Sequence, residues 1–446
     1  MQEKSITNKP KKHSCVTNTK KILIISFTFY PYSTVSAYRM IRFAKYLPLY
    51  GIEPHIITAR HDPITKYYPD TQYVQSLFKY KYESPLNPLI FRTRKSFIKR
   101  GLNYFFRILK DIFFSPDKHI LWGLFVVPIA LRTIKKQKVE TVLVSGDPFS
   151  LFVTGYLLKS LSNIKLILDY RDLWLSNQMN RIQTFVRKKW NRYHQKMSLK
   201  RADLIITVNE EILEEIDTFK ERFFNGNVSY DSIVIPNGFD PEYFNDQSEV
   251  MSNKDSFTFY YAGKIDINSL SYNPRILLLG FQLFKEKYPS DKIKLVICGH
   301  VSRETMKFIT DEGLLSDIDL PGHLPYDKVL EKAKEADALI HFNYPLKFSR
   351  IIPFKIYEYL KIKKPIISIN STEGILADLL EETRSGFSCN NEKPEETAFL
   401  MELVYKTDLV QFRSGINDEM LTQFDVSLQT KILADKIKEL TSKNSE

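Results

Sequence analysis

Cysteine is scarce in this chain of 446 residues, which holds only Cys15, Cys298 and Cys389. An odd number at such wide spacing excludes a disulfide framework and a cysteine metal cluster, and is typical of reduced thiols in a cytosol. There are eight histidines, none in an obvious metal-ligand pair. No acidic pair has metal-ligand spacing either. The sequence therefore predicts a protein that requires no metal.

Long apolar runs are also missing. The strongest candidate, ILWGLFVVPIAL at residues 120–131, has about a dozen residues, whereas a bilayer crossing needs roughly twenty. Residues 1–19 are polar and basic and lack the apolar core of a secretory signal, so we predict a disordered tail. No long low-complexity segment appears. These absences predict a folded, cytoplasmic protein that does not span a membrane.

The net charge of +12 is unevenly distributed. Of the 64 basic and 52 acidic residues, residues 1–200 contain 35 and 11, which leaves 29 and 41 for the remainder. The balance is thus +24 in the first part and −12 in the second. Nucleic acid, an anionic membrane surface and a phosphorylated substrate are the anionic partners that fit this charge. Nucleic acid is the least favoured, because no recognised reader motif accompanies the charge.

Aromatic residues accompany the charge between residues 92 and 132. In the stretch FRTRKSFIKRGLNYFFRILKDIFF, residues 91–114, five basic residues before Gly101 and two after it are interleaved with Phe, Tyr, Ile and Leu. A basic, aromatic helix pair can lie in the membrane interface and face anionic head groups. An ordinary amphipathic helix packed on a sheet is the alternative. We predict peripheral association with the inner face of the cell membrane.

Short apolar strands alternate with helices along the whole chain. The strand ILIISF, a loop, a helix that ends at Gly51 and the strand IEPHIITA open the series. This order is typical of a doubly wound parallel sheet, whose ligands bind beyond the carboxyl ends of the strands. Asp169, Arg171 and Asp172 stand at or just past such an end, where a charged cluster is costly unless it is paired or used.

A linker at residues 236–244, PNGFDPEYF, divides the chain, because Pro, Asn and Gly in succession end the preceding strand. The alternation of strands and helices then repeats. We predict a tail at 1–19, one domain at 20–235, a second at 236–425, and a crossover helix with a tail at 426–446. The predicted fold class is α/β, with two doubly wound Rossmann-like domains facing across a cleft that is the usual place for a ligand.

The stretch IIPFKIYEYLKIKKPIISIN at residues 351–370 predicts a helix that leads into a buried strand. Glu358 lies in the helix body, near an N-terminus whose free amides suit a phosphate. A carboxylate there can accept both hydroxyls of a ribose, while Arg350 and Lys355 take a diphosphate. The alternative is a solvated carboxylate paired with Lys355 and Lys361, one turn away on either side.

The order of the motifs resembles a two-domain glycosyltransferase of the group 1 type, family four, in the fold called GT-B, and in particular the bacterial enzymes that build capsule, exopolysaccharide or O-antigen sugars. The resemblance implies transfer, with retention of configuration, from a nucleoside-diphosphate sugar as co-substrate, with no other cofactor. The basic, aromatic half suggests a lipid-linked saccharide as acceptor. The motifs run from about residue 20 to 440: YPYSTVSAYRMIRFAKYL, SGDPFSLFVTGYL with DYRDLW, ADLIITVNEEI, IPNGFD, YYAGK, NPRILL, GHLPYDKV and PFKIYEYLKIKKPII.

The resemblance implies a donor site in the second domain. Glu358 matches the glutamate that holds the ribose hydroxyls, and Gly263 and Lys264 match the glycine and basic residue that meet the diphosphate. Lys264 would stabilise the leaving diphosphate electrostatically, which is usually the largest catalytic contribution. The expected donor-binding set also contains further cations and the loop that frames the base: Arg275, Arg350, Lys355, Leu324 and Tyr326.

The resemblance places the acceptor in the first domain. Arg39 matches the arginine of the family's first helix, and Asp172 matches the aspartate of an arginine-aspartate turn. Asp172 is the candidate to orient or deprotonate the incoming hydroxyl, and a salt bridge with Arg171 is its alternative role. The expected acceptor-side set is Ser33, Thr34, Arg39, Asp147, Arg171 and Asp172, and the expected catalytic set is Asp172, Lys264 and Glu358.

Three departures from the family pattern are evident. Arg350 replaces the first glutamate of the pair that ends at Glu358, Phe152 replaces a histidine of many relatives, and Ser33 to Ser36 replace a glycine-rich loop. These changes keep a non-catalytic scaffold of a polysaccharide assembly complex as one alternative. A nucleotide-sugar epimerase, which needs no acceptor, is the other; the predicted membrane patch argues against it.

Overall fold

The structure is a computed structural model that describes residues 19–30, 35–59, 81–84, 114–175, 184–244, 256–269, 273–290, 292–342, 352–370, 372–390 and 392–442. Predictions for Ser33, Thr34 and Arg350 lie outside these residues. The same is true of residues 1–18 and of the basic segment at 92–113.

The first domain is built on a seven-stranded sheet in which all neighbouring strands are parallel. Its strands are β1 (Lys20–Ile25), β2 (Ile52–Ala59), β3 (Lys81–Ser84), β4 (Thr141–Gly146), β5 (Lys165–Tyr170), β6 (Leu204–Thr207) and β7 (Asp231–Val234). The order across the sheet is β3-β2-β1-β4-β5-β6-β7. Helices cover both faces, so the central strands are continuous apolar runs such as KILII.

The helices of this domain are α1 (Val35–Tyr46), α2 (Ile120–Gln137), α3 (Ser150–Leu161), α4 (Phe185–Leu199) and α5 (Glu210–Phe224). The predicted apolar run forms α2, whose Trp122, Val126 and Ala130 are buried in the core under the sheet. In the described part of the chain, no helix is long and apolar enough to cross a membrane.

The second domain repeats the architecture with a six-stranded parallel sheet. Its strands are β8 (Phe257–Ala262), β9 (Ile293–Cys298), β10 (Ile318–Gly322), β11 (Ala338–Phe342), β12 (Ile366–Asn370) and β13 (Gly386–Asn390). The order is β10-β9-β8-β11-β12-β13. The helices are α6 (Arg275–Lys287), α7 (Arg303–Asp311), α8 (Tyr326–Glu335), α9 (Phe354–Ile362), α10 (Ile375–Glu382), α11 (Pro394–Tyr405), α12 (Leu409–Gly415), α13 (Asp418–Thr422) and α14 (Val426–Ser442).

Two chain crossings join the domains and run side by side. Phe239 N donates to Phe424 O at 2.9 Å, and Val426 N donates back to Phe239 O at 3.2 Å. A Cβ at Gly238 would stand 2.1 Å from Phe424 O, so only glycine permits this approach. Helix α14 then returns to the first domain, where Leu433, Ala434, Ile437 and Leu440 pack in the core beside α1.

The predicted fold class of two doubly wound Rossmann-like domains is confirmed by this topology. In each sheet the strand order reverses between the first strand and its neighbour, at β1/β4 and at β8/β11. Crevices beyond such switch points are where ligands of open α/β sheets bind. The sequence analysis did not predict the edge strands β3 and β10, whose sequences KYES and IDLPG lack an apolar run and, in β10, contain a proline that edge strands tolerate.

Candidate active site between the two domains

The turn after β8 is shaped by glycine. Gly263 has a φ of +150°, and a Cβ at this position would stand 2.8 Å from the Tyr261 hydroxyl. Its amide donates to Cys298 O at 2.8 Å, and a Cβ at Gly299 would stand 2.1 Å from Gly263 O. The backbones of Gly263 and Gly299 are thus in close contact at the carboxyl ends of β8 and β9. Backbone without side chains allows a ligand to approach closely.

Lys355, in the first turn of α9, lies against this turn. Its Nζ donates to Ala262 O at 3.0 Å and stands 4.0 Å from the centre of the Tyr261 ring. Burial lowers the pKa of Lys355 to about 7. The structure therefore brings together Gly263 and Lys355, as predicted for a diphosphate site, and holds the lysine where an incoming anion would restore its charge.

Lys264 and Arg275 are the other predicted donor-side cations. Lys264 follows Gly263 and is exposed, with its Nζ 3.6 Å from Asp266 Oδ2. Arg275 begins α6 and places its guanidinium 4.8 Å from the centre of the Phe308 ring on α7. No contact of the described residues joins Arg275 to Lys264 or Lys355. Lys264 thus lies at the turn, whereas a diphosphate contact of Arg275 stays a prediction.

His341 and Ser368 lie beneath this site and were missed by the sequence analysis. They face each other in register on β11 and β12, and both are buried. In the described part of the chain, neither the His341 ring nitrogens nor the Ser368 hydroxyl has a hydrogen-bond partner. Burial, and secondarily the charge of Lys355, holds the pKa of His341 well below its usual value. The imidazole is therefore neutral and adds no positive charge beside Lys355.

Glu358 is held from two sides at one oxygen. Its Oε1 accepts a hydrogen bond from Arg42 Nη2 at 3.2 Å and another from the Tyr326 hydroxyl. Its Oε2 accepts no hydrogen bond from a described residue, and 7% of the side chain is exposed. Lys355 and Lys361 are not its partners, so the interpretation as a surface carboxylate paired along its own helix is wrong.

Tyr326 differs in part from the expected role. It begins α8, and its ring lies 5.2 Å from that of Tyr38 and 5.1 Å from that of Tyr243. Its hydroxyl donates a hydrogen bond to Glu358 Oε1. Leu324 is partly buried against the core of the second domain. Tyr326 therefore anchors the carboxylate, and the framing of a base by the Leu324–Tyr326 backbone stays a prediction.

Arg39 makes its side-chain hydrogen bonds to Asp169 and Pro236. Its guanidinium donates to Asp169 Oδ1 at 3.0 Å through both Nε and Nη2, and to Pro236 O at 3.0 Å through Nη1. Ser145 also donates to Asp169, at 2.9 Å. This buried network ties α1 to β4, β5 and the linker, so the structure shows a framework role for Arg39. Direct contact with an acceptor stays a prediction.

Arg171 pairs with neither aspartate beside it. Its Nε donates to Gly146 O at 2.6 Å and its Nη2 to Asp147 O. The Gly146–Asp147 and Asp147–Pro148 peptide bonds of this turn are cis. Burial lowers the pKa of Arg171. The expected alternative of a salt bridge with Asp172 is wrong, because the guanidinium is used to hold the Gly146–Pro148 turn.

Asp172 and Asp147 form a pair of carboxylates at this end of the first sheet. Asp172 is partly buried, and burial raises its pKa to about 6, with Asp147 adding to the rise and Arg171 opposing it. Asp147 is exposed, and its pKa is raised by desolvation and by the charge of Asp117. Asp172 makes no hydrogen bond or ion pair with a described residue. A carboxylate with such a pKa suits proton transfer near neutral pH.

Phe152 is part of an aromatic core. It is fully buried, with its ring 4.6 Å from that of Tyr170 and 5.8 Å from that of Trp174. A Cβ at Gly146 would stand 2.9 Å from its ring. The position filled by histidine in many relatives is therefore apolar here and supplies no acid-base group.

Two Rossmann-like domains of this topology, with charged side chains at the carboxyl ends of both sheets, have the architecture of the GT-B fold class. The sequence agrees with the fold. Residues 37–243 match the family described as Glycosyltransferase Family 4, and residues 245–415 match Glycosyl transferases group 1. The chain belongs to the group 1 glycosyltransferases and is a glycosyltransferase.

Several solved structures share the fold at low sequence identity. A glycosyltransferase from Rickettsia africae has 17% identity and a TM-score of 0.62, with 95% of this chain and 99% of that chain covered. Sucrose-phosphate synthase from Thermosynechococcus elongatus has 12% identity and a TM-score of 0.64 at the same coverage. Anabaena HepE, in complex with UDP-glucose, has 14% identity and a TM-score of 0.61 over 94% and 99% of the two chains. No curated protein matches the sequence.

Proposed function

We propose that this glycosyltransferase moves a sugar from a nucleoside-diphosphate sugar to a saccharide acceptor, with retention of configuration. The observation that carries the proposal is the state of Glu358, with one oxygen anchored by two donors and the other without a hydrogen bond from a described residue. A carboxylate so oriented presents an acceptor for ribose hydroxyls. The structures of similar fold include HepE with UDP-glucose, which supports a nucleotide-sugar donor.

The donor diphosphate would lie between the Gly263 turn and the start of α9. Charge develops on the leaving diphosphate as the bond to the sugar breaks, and fixed cations and amides at that place lower the barrier. Lys355 and Lys264 supply the cations, and the amide groups at the start of α9 add a partial positive charge. Lys355 changes most, because its pKa of about 7 leaves a substantial share of it uncharged near neutral pH, and it would become an ammonium beside the diphosphate.

The acceptor hydroxyl would approach from the first domain. Asp172 is ionised above about pH 6, has no internal partner among the described residues, and can take or orient the proton of the attacking hydroxyl. Asp147 and the Arg171-held turn line the same edge of the sheet. In this proposal the leaving phosphate also assists the incoming hydroxyl, as the family resemblance implies.

A lipid-linked saccharide is the acceptor class that the surface favours. Helix α4 exposes Phe185, Trp190 and Tyr193 to 76%, 40% and 49%, and carries five basic and no acidic residues. Helix α2 exposes Leu121, Leu124 and Phe125. Both helices pack on α3, where Ile120 and Met197 belong to one small cluster with Val153 and Tyr156. Exposed aromatic and basic side chains suit the anionic membrane interface. We place the enzyme on the inner face of the membrane, in the synthesis of capsule, exopolysaccharide or O-antigen.

Thermal unfolding with UDP, GDP, ADP, CDP, dTDP and their sugars tests the donor site, because a ligand of the native state raises the midpoint. We expect one base to stabilise the wild type and not the Glu358→Ala variant. Glu331→Ala, which removes an exposed carboxylate from α8, is the control and should respond like the wild type. The absence of a shift with every nucleotide would contradict the proposal.

Product analysis separates the alternatives. Incubation of the stabilising nucleotide sugar with membrane extract should yield a lipid-linked saccharide longer by one sugar, together with free nucleotide. A changed nucleotide sugar formed without extract would favour an epimerase. Nucleotide binding without any turnover, and surface polysaccharide unchanged in a Glu358→Ala strain, would favour the scaffold.

A further inference from the structure

We infer that Arg42 is a positioning residue of the donor site: from the first domain it holds the side chain of Glu358 of the second domain in its orientation, so that nucleotide affinity depends on both domains. The inference deepens the proposed function, and it rests on Glu358 as the ribose acceptor. Arg42 itself need not touch the nucleotide.

The contacts of Arg42 connect three separate parts of the chain. Its side chain is 1% exposed. Nη1 donates to Gly238 O in the linker, and Nη2 donates to the Tyr326 hydroxyl at 3.0 Å and to Glu358 Oε1 at 3.2 Å. The guanidinium lies 4.4 Å from the centre of the Phe354 ring, at the start of the helix that carries Glu358. A planar fork is suited to bridging several acceptors in this way, and a lysine is not.

The two oxygens of the Glu358 carboxylate differ in their hydrogen bonds, because both bonds from Arg42 and Tyr326 end at Oε1. Arg42 and Tyr326 both meet Oε1, so the carboxylate cannot turn without breaking both bonds. Oε2 accepts no hydrogen bond from a described residue, and 7% of the side chain is exposed. The anchored oxygen lies towards the first domain, and the other is offered to a ligand. Pre-orientation of this kind raises affinity because less ordering is needed on binding.

Arg42 also sets the charge of Glu358. Burial raises the pKa of this carboxyl, and the charge of Arg42 and the bond from Tyr326 oppose the rise. The other titratable groups that face it in the described residues are Asp240, Tyr260 and Tyr359. Asp240 adds negative charge, although Lys45 pairs with it at 2.7 Å. Without Arg42 the carboxyl would protonate at higher pH and lose an acceptor for the ribose.

Lys159 provides a control in the first domain. It lies on α3, and its Nζ donates to Asp203 Oδ2 at 2.7 Å and to Ile164 O at 2.6 Å. Its substitution therefore removes an ion-paired cation whose partners, Asp203 and Ile164, both belong to the first domain.

Isothermal titration with the most stabilising diphosphate of the panel, from pH 8 to pH 6, tests the inference. We expect Arg42→Met to raise Kd by roughly tenfold to a hundredfold at pH 7.5, the size expected for lost hydrogen bonds to a charged group. Its affinity should fall further as the pH drops, because the carboxyl becomes protonated. Arg42→Lys should raise Kd by less and keep the wild-type pH profile, since it retains the charge. Lys159→Met should bind as the wild type does.

Wild-type affinity and an unchanged pH profile in Arg42→Met would overturn the inference while the proposed function stands. A wild type that binds no diphosphate would overturn both. If Arg42→Met does not fold, Arg42→Lys and Tyr326→Phe decide instead. Each removes a bond to Oε1, and wild-type affinity in both would also overturn the inference.

Discussion

Lys355 and Ala262 are 93 residues apart in the sequence, yet the lysine Nζ donates to the alanine carbonyl at 3.0 Å. This bond brings the start of α9 onto the end of β8, where Gly263 begins a turn without a side chain. It also buries an amine with no carboxylate beside it, since no described acidic residue lies within ion-pair distance of Lys355. The proposed diphosphate site is thus preformed, and because the pKa of its lysine is about 7, a substantial share of the amine is uncharged near neutral pH.

Substitution of this lysine should change how stability depends on pH. The pKa of Lys355 is about 7 in the folded protein, against an unperturbed 10.5. Between these values the unfolded chain binds more protons than the native one, so wild-type stability rises with pH across this window. Lys355→Met removes that dependence. Below pH 7 the free energy of unfolding of the variant should exceed that of the wild type by on the order of 2–4 kcal/mol, reduced by any contact that the substitution removes. The full pKa difference would give a larger figure, but part of the side chain stays solvated. Its advantage should shrink towards pH 10.

Urea unfolding of the two proteins from pH 6 to pH 10 checks this. Parallel stability curves would contradict the lowered pKa. Lys361→Met, which removes a lysine of the same helix, is the control for α9 and should leave the curve parallel to that of the wild type.

A methyl group at Gly263 should disrupt the diphosphate site. Its φ of +150° disfavours any other residue, and the added Cβ would meet the Tyr261 hydroxyl at 2.8 Å. Strain of this kind costs about 1–3 kcal/mol. We expect Gly263→Ala to lower the thermal midpoint and to weaken nucleotide binding at least tenfold. Gly415→Ala, where a Cβ meets nothing within 4 Å, should change neither, and equal behaviour of the two variants would argue against a close backbone approach.

Asp172 should govern the acid side of the rate profile. Because its pKa is about 6, sugar transfer should decline as the pH falls through 6, where the carboxylate takes up a proton. Asp172→Asn should lower kcat by about 10²–10⁴, which is the contribution usual for a general base. It should also remove the decline in rate below pH 6. Nucleotide affinity should stay within about twofold of wild type, since the donor lies on the other domain. An Asn variant with a normal rate would remove Asp172 from the chemistry.

Membrane binding should depend on the aromatic residues of α4. Co-sedimentation with vesicles of phosphatidylglycerol should retain the wild type and release the double variant Phe185→Ser, Trp190→Ser, because both rings are exposed among basic residues. Phe399→Ser is the matched control, since this ring is 64% exposed on α11 in the second domain. Neutral phosphatidylcholine vesicles should bind all three proteins weakly. Equal release of wild type and double variant from anionic vesicles would place the interface elsewhere.

The chain order of strands and helices follows from local patterns, and so do the residues that end them. Apolar runs bounded by Gly and Pro predicted the central strands, and PFKIYEYL predicted α9 with Glu358 in its body. The carboxyl-end rule for parallel sheets then placed Asp172 at or just past the end of a strand, and the family resemblance pointed to Gly263 and Lys264. Such signals depend only on neighbours along the chain, so the sequence alone contains them.

The partners of the charged residues were decided by the tertiary structure. Arg39 and Arg42 lie three positions apart on one helix, yet one pairs with Asp169 and the other with Glu358 of the second domain. Arg171 stands between two aspartates and hydrogen-bonds to carbonyls of another loop. Side-chain pairing depends on which elements the fold packs together, across 130 and 316 residues in the two arginine pairs. The sequence therefore determined the two domains and the place of the site, and only the packing of those domains decided which carboxylates are held internally and which remain open to a ligand.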